Sequence, residues 1–148
     1  MDIADFITPD RVVLDHRARD KAALLRDLAL RLEPACDGLS ADTILTALLA
    51  REALGSTGLG RGFALPHARL EGLRRFTGLF VRLSRPIAYD AVDGAPVDLL
   101  FVLLMPASAG KEQLSALAAV SRRFRDEATV TALRMGDGPE VQATLFGT

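Results

Sequence analysis

VDLLFVLLM, residues 97–105, is almost unbroken in apolar side chains. It is far shorter than the roughly 20 apolar residues a membrane span needs. Its length and β-forming content instead predict a strand buried on both faces, inside a sheet covered by helices. Upstream, FTGLFVRL (76–83) is a second apolar, β-rich segment, and Asp93-Gly94 between the two is a strong turn signal. The sheet therefore has at least these two neighbouring members, and the helices that cover it should lie on either side in the chain.

They do. RVVLD (11–15) predicts a short strand. After Asp20, KAALLRDLALRLE repeats leucine at 24, 28 and 32 with charges between, an amphipathic helix that Pro34 and Gly38 end. Ser40 is a good N-cap for a second helix, with Asp42 in its first turn and Ile44, Leu45, Leu48 and Leu49 as its apolar stripe, running to about Ala53. Downstream of the buried strand, Leu114, Leu117, Val120 and Phe124 fall at helical spacing. Arg122, Arg123 and Arg125 near the end of that helix suit its dipole. Shorter helices are expected around 128–134 and 139–146, with Gly136 and Gly138 between them. No repeat or linker breaks the pattern, and the expectation is a single α/β domain over 1–148.

Bulk properties narrow the function. In 148 residues, 49% hydrophobic and 25% charged, the formal net charge is −1. That leaves no global field to hold nucleic acid or an anionic membrane surface. All but Lys21 and Lys111 of the 18 basic residues are arginine, which codon usage explains as readily as phosphate binding. Cys36 stands alone, so no internal disulfide and no thiolate metal cluster can form, and inert packing is its expected role. The N-terminus MDIADFITPD lacks the basic start and apolar core of a signal peptide, and a cytoplasmic protein is expected.

Reactive chemistry has few places to sit. GSTGLGRG (55–62) holds four glycines in eight residues and predicts a loop. FALPHARL follows, where Pro66 denies a backbone donor and points to an edge strand or strand end. Of the two histidines, His16 in LDHRARD reads as a solvated surface residue. His67, directly after Pro66, stands where a scaffold presents reactive groups. It could be a hydrogen-bonded structural histidine. It could also accept a phosphoryl group, because a neutral imidazole keeps one lone pair, and transfer then needs mainly positioning and charge stabilisation. For that, residues 55–62 offer backbone amides, Ser56 and Thr57 hydroxyls, and Arg51 and Arg61 positive charge. Neither a Walker A loop nor a GxSxG elbow occurs, and one candidate imidazole makes no metal-ligand pattern.

REALGSTGLGRGFALPHARL (51–70) and PIAYDAVDGAPVDLLFVLLMP (86–106) resemble the IIA domains of the phosphoenolpyruvate-dependent phosphotransferase system, fructose/mannitol type. The similarity extends along the whole chain and is greatest toward the nitrogen-regulatory branch of that family. It implies a mixed β-sheet flanked by helices on both faces. It implies a phosphoryl group on Nε2 of His67, with Arg51 helping to hold it. The residues themselves add Ser56, Thr57, Gly58, Arg61 and Gln113 as phosphoryl-binding candidates. No cofactor or metal is implied. The donor would be an HPr-like phosphocarrier, and the targets regulated proteins such as potassium transport or sensor systems. The protein would be a phosphocarrier with a phosphohistidine intermediate, without a small-molecule substrate of its own.

Two positions depart from the family pattern. Gln113 stands where relatives commonly carry a second histidine, so a titrating contribution to transfer should be missing, and glutamine could still donate to a phosphoryl oxygen. Arg61 stands where relatives often have a polar or acidic residue, and could add attraction for the donor. The alternatives are a sugar-transport IIA component that passes its phosphoryl group to a IIB domain, and a regulatory binding module without phosphotransfer. The unfused chain favours the regulatory role over the first, and the intact REALGSTG and LPHARL motifs oppose the second.

Overall fold

The computed structural model describes residues 1–147, and its centre is the 97–105 segment, there as a strand from Val97 to Pro106. Successive side chains of a strand point to opposite faces. Accordingly Leu100, Val102 and Leu104 enter one apolar core while Leu99, Phe101, Leu103 and Met105 enter another. All seven are 2% exposed or less. The continuous apolar run is thus two interleaved stripes, one for each layer.

In chain order the elements are β1 (Val12–His16), α1 (Lys21–Leu32), α2 (Ala41–Ala53), β2 (Gly58–Gly60), β3 (Phe63–Ala64), β4 (His67–Leu70), β5 (Thr77–Ile87), β6 (Val97–Pro106), α3 (Glu112–Arg125), α4 (Glu127–Met135) and α5 (Gly138–Phe146). The sheet order is β1-β5-β6-β3-β2, with β4 also on β6. It is mixed: β1–β5, β3–β6 and β4–β6 are parallel, while β2–β3 and β5–β6 are antiparallel. Leu24, Leu28 and Leu32 of α1 and Ile44 and Leu48 of α2 fill one core. Val120 and Phe124 of α3, Leu133 of α4 and Val141 of α5 fill the other, with Ile3 and Phe6 from the N-terminal segment. Burying each such side chain stabilises the fold by roughly 1.5–3 kcal/mol.

The helix starts follow the capping signals. The carboxylate of Asp20 accepts from the Ala23 amide and the Ser40 hydroxyl from the Thr43 amide, satisfying donors a helix N-terminus leaves open. Asp126 and Asp137 do the same for α4 and α5. Cys36 lies fully buried, and burial pushes its thiol up to about 11, which fits inert packing.

Four expectations need correction. His16 is not a solvated residue: it ends β1 with Nε2 3.1 Å from the Asp27 carboxylate of α1 and a side chain only 12% exposed. Leu49 and Leu114 belong to no buried apolar stripe, being 44% and 74% exposed, and Leu114 stands instead at a cavity mouth. Residues 55–62 are not all loop, since Gly58–Gly60 pair with Phe63–Ala64 as a short hairpin. The 76–83 strand runs on to Ile87, past a register shift between Arg82 and Ile87 that accommodates Pro86.

Candidate functional site

β3 and β4 are one line of chain with a gap. Phe63 and Ala64 pair with Leu99 and Leu100, and His67 to Leu70 pair with Leu103 to Pro106, in unbroken register. In the gap, the Leu65 amide turns away to the Thr57 carbonyl and Pro66 has no amide, although its carbonyl accepts from Leu103. Beyond it β2 has ended, so β4 bonds only to β6 and its outer side is an open edge, where a proline is tolerated. By alternation His67 and Arg69 face the α3 layer, as Phe63 and Leu65 do, while Ala68 and Leu70 enter the α1–α2 core.

The open edge lets the two layers meet. Arg51, in the last turn of α2, reaches round it, and its Nε–H donates to His67 Nε2 at 3.2 Å. Its Nη1 donates to the Gly55 carbonyl at 2.9 Å, which fixes the guanidinium plane. On the other side of the ring, Nδ1–H donates to the Leu65 carbonyl at 2.8 Å. A carbonyl can only accept, so the proton is assigned to Nδ1 and the lone pair to Nε2, and the Arg51 contact agrees. Burial holds the imidazole pKa below the usual 6.5; the Leu65 bond opposes that and the Arg51 charge adds to it. The result is a neutral, oriented ring with a nucleophilic nitrogen at the surface.

That nitrogen opens on a cavity of about 500 Å³ between α2, β4 and the start of α3. Its walls bring in Arg69 and Gln113, with Leu54, Leu114 and Leu117 around the mouth. Leu54 is 85% exposed and Leu114 74%, which leaves large apolar side chains standing in solvent beside a polar centre. Arg69 is exposed and forms no ion pair among the described residues. Its position two residues after His67 on one strand could have singled it out from sequence, and did not.

The other candidates lie elsewhere, each for a local reason. The Ser56 hydroxyl donates to the Tyr89 carbonyl at 2.9 Å and accepts from the Gly58 amide. The Thr57 hydroxyl donates to Glu52, and its amide bonds Glu52 Oε1 at 3.1 Å. Gly58 packs against Ala91, where an added Cβ would come within 2.8 Å. Arg61 lines a separate cavity with Phe63, Phe124 and Arg125. Gln113 does reach the His67 cavity, but its Nε2 donates to the Pro106 and Ala107 carbonyls at 2.9 and 3.4 Å. The glycine-rich loop is therefore no phosphate cradle at Thr57 and Gly58, whose amides are already bonded. Of the sequence candidates, Arg51 and Gln113 line the His67 cavity, and Ser56, Thr57, Gly58 and Arg61 are not among its lining residues.

The polar cluster that holds this loop is absent from the sequence reading. Glu52, with a side chain 6% exposed, pairs with Lys21 at 2.9 Å. The Lys21 ammonium also lies 4.4 Å from the Tyr89 ring centroid, and the Tyr89 hydroxyl lies 3.3 Å from that of Thr57. Burial, then the nearby Glu52 charge, drives the Tyr89 phenol far above its ordinary pKa, so it stays a neutral partner. Lys21 and Tyr89 are 31 to 33 residues from the partners they hold, a relation no local pattern carries.

An oriented imidazole with an unprotonated Nε2, an arginine on that nitrogen and an apolar rim fits a phosphocarrier domain on a mixed α/β sheet. Sequence comparison agrees: the chain belongs to the family "Phosphoenolpyruvate-dependent sugar phosphotransferase system, EIIA 2", matched over residues 5–146. It is 39% identical to a nitrogen regulatory protein of Bradyrhizobium diazoefficiens over 134 residues, covering 90% of this chain and 87% of that one. The crystal structure of nitrogen regulatory protein IIA-Ntr from Neisseria meningitidis superposes with a TM-score of 0.89 at 38% identity, covering 97% and 98% of the two chains. A fructose-specific EIIA component of Haloferax volcanii is 41% identical over 86 residues, covering 58% and 56%. No described helix is long and apolar enough to cross a membrane.

Proposed function

We propose that His67 Nε2 accepts a phosphoryl group from an HPr-like phosphocarrier, and that the phosphorylated and free forms differ in the proteins they bind. The observation that carries this is the ring's pair of opposed hydrogen bonds, Nδ1–H to Leu65 and Nε2 from Arg51. In the transfer, the Nε2 lone pair bonds to phosphorus as the donor's phosphorus–nitrogen bond breaks and the donor nitrogen keeps that electron pair. The imidazole stays protonated at Nδ1, so no proton has to leave, and the Leu65 carbonyl stabilises the positive charge that develops on the ring. Arg51 Nε–H gives up the lone pair and turns to a phosphoryl oxygen. Its Nη2, which has no hydrogen-bond partner among the described residues, is free to join it. Arg69, on the same cavity wall, supplies a second cation.

The apolar rim of Leu54, Leu114 and Leu117 suits a protein donor better than a free sugar, since it gives a carrier a dry surface around the transferred group. Phosphorylation adds roughly −1.5 to −2 charges to a chain whose formal net charge is −1. A change of that size at one rim can reverse electrostatic complementarity without moving the fold. Similarity to nitrogen regulatory proteins supports a regulatory output. Potassium transport or sensor systems are the targets this reading names. Likeness to the fructose-specific component supports a second reading, in which the group passes on to a IIB domain.

Intact-mass analysis after incubation with phosphoenolpyruvate, enzyme I and the carrier tests the first step. One acid-labile phosphoryl group on wild type and none on His67→Ala is the expected result. An unmodified wild type beside a working control acceptor would leave the binding-module reading in its place. Adding a IIB domain then separates the outputs: loss of the label to IIB selects the sugar route.

A further inference from the structure

A second cavity of about 510 Å³ lies away from His67, between the β2–β3 hairpin and the junction of α3 with α4. Its floor is the stacked pair Phe63 and Phe124, with ring centroids 4.2 Å apart and planes 9° from parallel, extended by Val130. Leu59, 48% exposed, forms one lip, and the partly exposed Ser121 lines the α3 side. Two guanidinium groups, Arg61 and Arg125, complete it, and neither belongs to an ion pair among the described residues. Glu127 neighbours Arg61 in the adjoining groove without pairing to it.

Arg61 is held there at a cost. It sits at φ 57 between Gly60 at 104 and Gly62 at 80, in the left-handed region that a long side chain disfavours. Two bonds fix that conformation, and two more hold the partner that makes one of them. Its amide donates to Asp93 Oδ2 at 2.9 Å, its carbonyl accepts from Arg134 Nη2 at 3.0 Å, and Arg134 is itself locked on Asp98 by two bonds of 2.8 Å. Gly62 is required by the clamp, because a Cβ there would meet Arg134 and Asp98 within 2.8 Å. The side chain is thereby aimed at the end of α3, where Nη2 donates to the Arg125 carbonyl at 3.4 Å. A strained backbone fixed from several sides, presenting a cation beside a second unpaired cation at a cavity lined by largely buried Phe63, Phe124 and Val130, is the layout of a preorganised site.

We propose that this cavity binds a small organic anion, a carboxylate or phosphate carried on a flat apolar body, with the body on Phe63 and Phe124 and the charged group between Arg61 and Arg125. The volume falls in the range of small-molecule sites. A planar oxyanion matches the guanidinium fork, and each of two like charges gains from an anion between them. Nothing in this requires phosphotransfer at His67.

The test uses 2-naphthoate as the probe, titrated into the ¹⁵N-labelled full chain, with the neutral 2-naphthamide as control. The expected result is a saturable set of amide shifts confined to residues 59–63, 121–125 and 130. Affinity should fall by about tenfold for the amide, for Arg61→Asn and for Arg125→Gln, the size of one lost charge-assisted hydrogen bond. Asparagine tolerates positive φ, so Arg61→Asn keeps the hairpin, and unchanged spectra outside the cavity confirm it. Ser121→Phe, which fills the cavity from the helix side, should abolish binding. Shifts centred on Arg51, Leu54 and Leu114, no saturation by millimolar probe, or equal affinity in the Arg61→Asn/Arg125→Gln double variant would each overturn the proposal.

Discussion

Arg51 and Glu52 are adjacent in sequence and opposite in duty. Arg51 turns outward round the sheet edge to His67, while Glu52 turns inward to Lys21 and Thr57. One faces the cavity and gains its value from a partner still to arrive. The other is almost fully buried, and its value comes from partners already present. On the proposed function REALGSTG is a composite motif, its first residue chemical and most of the rest a scaffold that closes α2 onto the loop. Residues that neighbour a reactive group in sequence need not neighbour it in space.

The largest effect that separates the two halves is Arg51→Ala. Removing a cation placed to meet the transferred group is expected to slow phosphorylation about a hundredfold to a thousandfold. The melting temperature should barely move, because one of the two lost bonds is exposed and the other only partly buried. Stopped-flow or quench-flow transfer from the carrier, beside a thermal melt, measures both quantities. An Arg51→Ala protein that melts far below wild type would erase the distinction.

Glu52→Ala should show the reverse. It strands the Lys21 ammonium and the Thr57 amide, and breaking such a pair is expected to cost about 3 kcal/mol, near the low end for buried pairs because Lys21 is partly exposed. For a domain of this size that lowers the melting temperature by about 10 °C. At a temperature where the variant stays folded, transfer should fall much less than in Arg51→Ala. A Glu52→Ala chain that melts like wild type would remove the scaffold role.

The same contrast sets what could be read in advance. The doubly covered central strand was legible because VDLLFVLLM is apolar at every position but Asp98 and is short and rich in β-forming residues. His67 and Arg51 stood out by elimination and by family pattern. Ser56 and Thr57 misled because hydroxyls beside glycines look the same whether they bind a ligand or the Tyr89 carbonyl and Glu52. Arg61 misled because its direction depends on Asp93 and the Arg134–Asp98 pair, contacts that span 32 residues and more. Leu114 fitted a helical stripe, yet the first turn of α3 projects past the sheet, so the residue became rim.

The third prediction concerns the protonation of His67 itself. Burial keeps the folded imidazole neutral below the usual 6.5, so a ¹⁵N titration should place its midpoint lower, with the proton of the neutral form on Nδ1. The linkage has one sign. Between the depressed folded value and about 6.5 the unfolded chain holds a proton that the folded one does not, so this group's contribution to stability is lost as pH falls through that window. His67→Gln should therefore gain on wild type in acid and match its pH dependence above about 7. A midpoint above 6.5, or an Nε2-protonated neutral ring, would contradict the oriented acceptor.

The smallest effect sharpens the same edge from the α3 side. Gln113 spends its amide protons on the Pro106 and Ala107 carbonyls, so it steadies the start of α3 and brings no titrating charge to the cavity. Gln113→His should change transfer by only about a few fold, since Arg51 and Arg69 already line that cavity. The change should also depend on pH. Donor and His67 titrate in both proteins, so the ratio of variant to wild-type rate isolates residue 113. That ratio is expected to be flat above about pH 7.5 and to rise at lower pH as the half-buried imidazole gains its proton. A flat ratio throughout would mean that position 113 acts on the helix start alone, and that the cavity's charge is complete without it.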